Sequence, residues 1–182
     1  MSSRRVVVTG LGLVSPVGNT VPSTWEALCK GRSGIGPITE FDVSALATRI
    51  AGEVKDFDVT EFVSPKEARR LDKFMHYGLA AAQEALAEAG LLGDDHGVDK
   101  ERVGLAVGAG IGGISSIEQN MLIYRDKGPR RISPFYIPGS IVNMISGVLS
   151  ITYGFKGPNI AVVTACTTST HNIGLAARMI QY

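Results

Sequence analysis

Asn159-Ile-Ala-Val-Val-Thr-Ala-Cys166-Thr-Thr-Ser-Thr-His-Asn-Ile-Gly174 decides how this chain reads. Residues 160–163 form a short apolar run of the kind that makes a buried strand. Small and hydroxylated residues follow at once, over 164–169, and a helical pattern then continues through Ile173, Ala176, Ala177 and Ile180. Cys166 therefore falls at a tight strand-to-helix junction, beside the positive end of a helix dipole. Such a place favours thiolate over thiol. Backbone N–H groups of the same turn point outward, where they can meet a developing oxyanion. Cys166 reads as a nucleophile.

Upstream, Gly154 and Gly157-Pro158 close a helix over 141–153 that is apolar nearly all round, so it belongs in a large core or a subunit interface. A loop over 130–139 with two prolines and two aromatics precedes it, after a helix that starts at Ser115-Ser-Ile-Glu118 and stops at Lys127-Gly128-Pro129. Arg102-Val-Gly-Leu-Ala-Val107 reads as a strand running into Gly108-Ala-Gly-Ile-Gly-Gly113, a literal G-x-G-x-x-G. A dinucleotide site would place an acidic residue about 20 positions further on. That region, Arg130-Arg-Ile-Ser-Pro-Phe135, has none, so the glycines are read as a close-packing turn. Near the start, Arg4-Arg-Val-Val-Val-Thr-Gly10 reads as a strand with a buried middle, and Ser15 stands where a third nucleotide-binding glycine belongs.

Two capping boxes set helix starts. Ser23-Thr-Trp-Glu26 predicts a helix over 24–30 closed by Gly31, with Cys29 packed in the core. Ser64-Pro-Lys-Glu67 has Pro65 at the first helical position and opens helical text to Ala89, with a break near Asp72 and Gly90 at the end. Leu71, Phe74, Met75, Leu79, Ala82, Leu86 and Ala89 recur at helical spacing and predict a buried face. The Gly and Ala residues over 78–89 predict close packing against a neighbour. Residues 33–63 read as a surface excursion and 91–101 as a polar connection. The order of elements is an α/β layer pattern.

Composition narrows the function. At 182 residues and 45% hydrophobic, the chain has enough length and apolar content for a real core. A net charge of +1 gives no support to a nucleic-acid partner. The 2 cysteines lack metal-ligand spacing and make no disulfide framework, a reduced, cytoplasmic pattern with no metal or cofactor expected. No apolar run approaches the roughly 20 residues of a membrane helix, and Met1-Ser-Ser-Arg-Arg5 is too short for a signal peptide.

Several of these motifs agree with one family. Thr164-Ala-Cys-Thr167 with His171-Asn-Ile-Gly174 resembles the nucleophile segment of the elongating β-ketoacyl-[acyl-carrier-protein] synthases. The stretches over 6–12, 108–113 and 128–135 match the same family in the same order, and synthase II of dissociated fatty-acid synthesis is the nearest type. The resemblance implies a thiolase-like (condensing-enzyme) fold of two similar α/β halves in an α-β-α-β-α layering, working as a homodimer. It implies an acyltransferase that loads an acyl chain on Cys166 and condenses it with malonyl-[acyl-carrier-protein]. The family's two catalytic histidines and lysine lie in the second half of its chain, which this sequence does not contain. Residues 1–182 are thus expected to be the N-terminal half of a longer or cleaved synthase, inactive alone in condensation.

By the same resemblance Ile111 gates the acyl pocket, Phe135 is a pocket wall contributed across the dimer, and Thr167 adjoins bound substrate. Lys66, Arg69, Arg70, Arg130 and Arg131 are expected to dock the acidic carrier protein, whose attraction acts on rate and specificity. A solvated helix face is the plain alternative for these charges. At about 100° per residue, His171 projects away from a thiol five positions earlier, so it is expected as a polar group satisfied inside the fold. His76 and His96 read as surface or packing residues. Two other classes remain open: a non-catalytic half that only shapes a pocket, and a polyketide ketosynthase.

Overall fold

The computed structural model describes residues 4–93 and 97–182; His96 lies outside them. Helix α1 (Val21–Cys29) is followed by a hairpin of β1 (Ile35–Pro37) and β2 (Ile50–Gly52). Helices α2 (Pro65–Ala68) and α3 (Lys73–Glu88) come next, then β3 (Leu105–Ala106) and α4 (Ile114–Lys127). The chain ends with α5 (Tyr136–Ser140), α6 (Met144–Tyr153), β4 (Asn159–Ile160) and α7 (Thr168–Gln181). The hairpin is antiparallel, whereas β3 and β4 pair in parallel with Leu105 opposite Asn159 and Ala106 opposite Ile160.

The core sits where α3 crosses α6. Met75 and Leu79 from α3 meet Ile145 and Leu149 from α6, all essentially out of water, with Leu105 and Val107 packed against them from the β3 side. Helix α3 supplies side chains that the sequence periodicity placed inward, Met75 and Leu79 among them. The break expected near Asp72 is real, since α2 ends at Ala68 and Asp72 opens α3 with extended backbone. The Ser64–Glu67 capping box is present, with Pro65 in the first turn. The excursion over 33–63 is fastened to α3 by aromatics: Phe57 stacks on Phe62 and meets Tyr77 edge-on, with centroids 5.6 and 5.1 Å apart. Glu40 adds an ion pair to Lys73.

Five expectations need correcting. Residues 4–9 form no strand; they are extended and exposed, with Val8 at 79%. The reason lies just downstream, where backbone donors go to side chains of α3 rather than to a neighbouring strand. Leu11 N–H donates to Glu88 Oε2 at 2.6 Å and Leu13 N–H to Glu84 Oε2 at 3.0 Å. Gly12 lies so close to α3 that a Cβ there would stand 1.7 Å from the Ala81 carbonyl oxygen, which explains the glycine that mimicked a nucleotide turn. Helix α1 begins three residues earlier than predicted, because Thr20 and Ser23 form the capping box and Glu26 pairs with Lys30 instead.

Cys29 is exposed rather than packed. The inward face of α1 is Thr24 and Ala27, and a residue two further on points about 200° around the helix. The strands of the β3–β4 sheet are shorter than the runs over 102–107 and 160–163 suggested, two residues each. Finally, α6 starts at Met144 rather than at 141; Ile145, Ser146 and Leu149 are buried as expected, and only its outer side, with Ile151 80% exposed, is open.

Candidate active site

The turn carrying Cys166 is built by one strand end and one helix start. Cys166 is the middle residue of a 3-10 turn, Ala165–Thr167, that leads into α7. Its side chain is exposed. Ala165 has φ 51°, in the left-handed region that side-chain-bearing residues avoid. That turn reverses the chain within one residue and sets the thiol outside it. As a first-turn residue, Cys166 has a backbone N–H with no acceptor inside its own helix.

Three buried or hydroxylated side chains fix the turn. Thr164 N–H donates to Thr168 Oγ1 at 3.0 Å, and Thr167 Oγ1 donates to the Thr164 carbonyl at 2.8 Å. Asn172, only 2% exposed, accepts from Val162 N–H at 3.1 Å and donates to the carbonyls of Val162 and Thr168, both at 2.8 Å. His171 Nδ1 shares a 2.7 Å hydrogen bond with Thr164 Oγ1. His171 is therefore satisfied, but at the exposed surface of α7 and not inside the fold as the sequence suggested.

The glycine-rich turn lies against this elbow. A Cβ on Gly108 would meet the Val162 carbonyl oxygen at 2.7 Å and Asn172 Nδ2 at 3.2 Å, and one on Gly110 would touch Ala165 at 3.5 Å. The glycines thus permit the close packing that was read from the sequence, next to the Cys166 turn. Gly112 adopts φ 83° where a side chain would strike the Ser140 carbonyl. Ile111 rides on this turn with 67% exposure.

Sequence reasoning took Asp72 only as a helix break, yet its carboxylate ties the site together. Asp72 is 7% exposed, and its Oδ2 accepts from Ser116 N–H at 2.8 Å and from Ser116 Oγ at 2.7 Å. It thereby caps α4 from another element, where an anion meets the positive end of the helix. Its own N–H donates to the Gly139 carbonyl at 3.1 Å, and Gly113 N–H donates to the Ser140 carbonyl at 2.8 Å. A carboxylate immediately before a helix was the visible signal; the partner 44 residues away was not.

The basic residues fall into two neighbouring groups. Lys66, Arg69, Arg130 and Arg131 are exposed. Arg70 is half-buried, with its guanidinium 4.1 Å above the centre of the Phe135 ring. That contact joins α2 to the segment carrying Arg130 and Arg131, so residues 60 positions apart in sequence share one side of the protein. Phe135 keeps 39% exposure and packs on Arg70 within this chain. His76, half-buried on α3, shares a 3.0 Å hydrogen bond with the Ala68 carbonyl at the end of α2.

With this geometry in view, comparisons with known proteins agree on its kin. The model of the β-ketoacyl synthase N-terminal domain matches residues 3–182. The chain belongs to that family. The 3-oxoacyl-[acyl-carrier-protein] synthase 2 of Vibrio harveyi is 56% identical over 182 residues, which is 100% of this chain and 43% of that protein. A solved ishigamide ketosynthase/chain length factor superposes with TM-score 0.84 at 26% identity, over 98% of this chain and 45% of that one. A type II polyketide ketosynthase, solved in complex with its acyl-carrier protein and bound to a hexaketide, gives TM-score 0.81 at 26% identity, over 99% and 48%. This ketoacyl synthase chain spans less than half the length of the relatives it matches. The expected fold class, a thiolase-like α/β half, is borne out by those superpositions. Among the described residues of the domain, no helix is long and apolar enough to cross a membrane.

Proposed function

We propose that this domain carries the acyl-accepting half of a cytoplasmic β-ketoacyl-[acyl-carrier-protein] synthase of fatty-acid elongation. The observation that carries the reading is the exposed Cys166 on a left-handed elbow at the start of α7, braced by Thr168 and Asn172. Cys166 Sγ attacks the thioester carbonyl of an acyl carrier protein, and the carrier's thiol leaves with the proton. The Cys166 N–H faces the oxyanion that forms in between. In the second stage malonyl carrier protein loses CO2. The carbanion left by the broken C–C bond attacks the acyl carbonyl, and the Cys166 thiolate leaves, giving 3-oxoacyl carrier protein.

Decarboxylation by the resembled family calls for two histidines and a lysine that match no residue of 1–182, and the matched relative is more than twice as long, so the domain alone is expected to load without condensing. Thr167, Ile111 and Phe135 line the acyl path, Phe135 across a homodimer, and the five basic residues face the carrier. A fatty-acid role is favoured over a polyketide one because the synthase 2 relatives are 45–56% identical, against 26% for the type II polyketide ketosynthase. Incubation with an acyl carrier protein thioester tests this. A mass gain of one acyl group on the Cys166 peptide, absent in Cys166→Ala, is expected; an unmodified Cys166 overturns the reading.

A further inference from the structure

Asn172 is the most fully used polar side chain near the elbow. It is 2% exposed, and its amide makes three hydrogen bonds that no single backbone element accounts for. The oxygen takes the Val162 N–H, and the nitrogen serves the carbonyls of Val162 and Thr168. Val162 lies two residues past the end of β4, where a continued ladder would find a strand; instead the Asn172 amide satisfies both of its backbone groups. In this way the side chain imitates a neighbouring strand and ends the sheet at a fixed point. Four residues later comes Cys166.

The same nitrogen lies against the place where a Gly108 Cβ would be, at 3.2 Å, so it is packed between the glycine turn and the elbow. Thr168, whose carbonyl it holds, in turn receives the Thr164 N–H. Two of the elbow's fixed points, Val162 and Thr168, therefore depend on one amide. We propose that Asn172 is a positioning residue for Cys166, locking the strand end and the helix start so that the thiol and its N–H keep the geometry for acyl transfer. It touches neither substrate nor thiol; it acts through Val162, Thr168 and the left-handed Ala165. The proposal rests on the acyl-transfer reading above. Only an amide serves here, because a carboxylate offers no donor to the two carbonyls and an aliphatic chain leaves all three backbone groups without this partner.

Small displacements of a reacting group lower a rate by up to about a hundredfold. The experiment uses the full-length protein with Cys29→Ala, so that Cys166 is the thiol followed in this domain. Acyl loading from an acyl carrier protein is measured as a function of carrier concentration and expressed per Cys166 that iodoacetamide can titrate. In Asn172→Ala and Asn172→Asp the maximal loading rate should fall on the order of tenfold or more, with half-saturating carrier concentration unchanged. Thr168→Val, which keeps the shape and removes only the acceptor for Thr164, should fall in the same direction. Ser146→Ala serves as a stability control: Ser146 is buried in α6 and bonds the Asn143 carbonyl, away from the elbow.

Loading per titrated thiol that stays within twofold of the parent in both Asn172 variants and in Thr168→Val overturns the proposal. So does an equal loss in Ser146→Ala at matched melting temperature, since destabilisation alone then explains it. A parent protein that never loads acyl groups, with iodoacetamide labelling of Cys166 slowed at least threefold in the Asn172 variants, keeps the positioning role and overturns the acyl-transfer reading instead.

Discussion

At the scale of single residues the elbow stores strain at Ala165. An alanine held left-handed costs about 1–2 kcal/mol, while glycine costs roughly 0.5–1 kcal/mol of extra chain entropy on folding. Ala165→Gly is therefore expected to leave stability unchanged or raise it by up to about 1 kcal/mol, seen as a small upward shift in melting temperature. Ala165→Val should destabilise, because a branched Cβ fits φ 51° poorly. If both variants melt alike, the strain is not where the backbone puts it. Asp72 makes the opposite case, where loss is expensive. Removing its carboxylate leaves the half-buried Ser116 N–H of α4 without its acceptor, at a cost of about 1 kcal/mol, the lower end for an orphaned donor. Asp72→Ala should lower the urea midpoint accordingly. Asp72→Asn, which keeps one oxygen acceptor, should retain part of the difference.

At the scale of elements the α3–α6 crossing carries the hydrophobic stability. Leu149 is 1% exposed and packed among Met75, Leu79 and Ile145, so Leu149→Ala is expected to cost about 2–5 kcal/mol by chemical denaturation. Helix α2 answers to pH. The Glu67 carboxyl is held below its ordinary value by the side-chain and then the backbone hydrogen bond from Ser64. A depressed carboxylate contributes stability above its unfolded value, about 4.3, and loses it as pH falls through the lower folded value. Acidification below about pH 4 should fray α2 first, seen as faster amide exchange at Glu67 than in α3. The capping box and the apolar face of α3 were both legible in sequence because each signal is complete within one or two helical turns. Residues 4–9 were misread for the converse reason. Three valines describe a strand, but whether a strand forms depends on a ladder partner, and the α3 carboxylates compete for the backbone donors just downstream. Ser23-Thr-Trp-Glu26 shows the same limit on a smaller scale, since Thr20 offered an equally good cap one turn earlier.

At the scale of the whole molecule Cys166 was legible as a candidate nucleophile and its supports were not. Cys166 announces itself by strand, turn and helix within ten residues, whereas Asn172 and Asp72 matter through partners on other elements. The basic residues lie between these cases: their charge is written in the sequence, but only the contact of Arg70 with Phe135 shows that the two groups lie side by side. That contact also divides their roles. Arg70 is committed to a ring face, an interaction worth about 0.5–1 kcal/mol where water reaches it, so its charge is partly spent within the chain. Lys66, Arg69, Arg130 and Arg131 project free charge into solvent, where attraction extends over a Debye length of about 8–10 Å at physiological salt. If an acidic carrier docks on this side, as proposed, these four exposed charges steer it. Arg69→Glu and Arg130→Glu are therefore expected to slow carrier association severalfold each at low salt, with the effect shrinking as ionic strength rises. Arg70→Ala should change the association rate least and stability most, through the uncovered Phe135. Stopped-flow association measured from low to high salt separates these outcomes. Rates that fall equally for Arg70→Ala and Arg130→Glu, or that ignore salt, would sink the docking assignment.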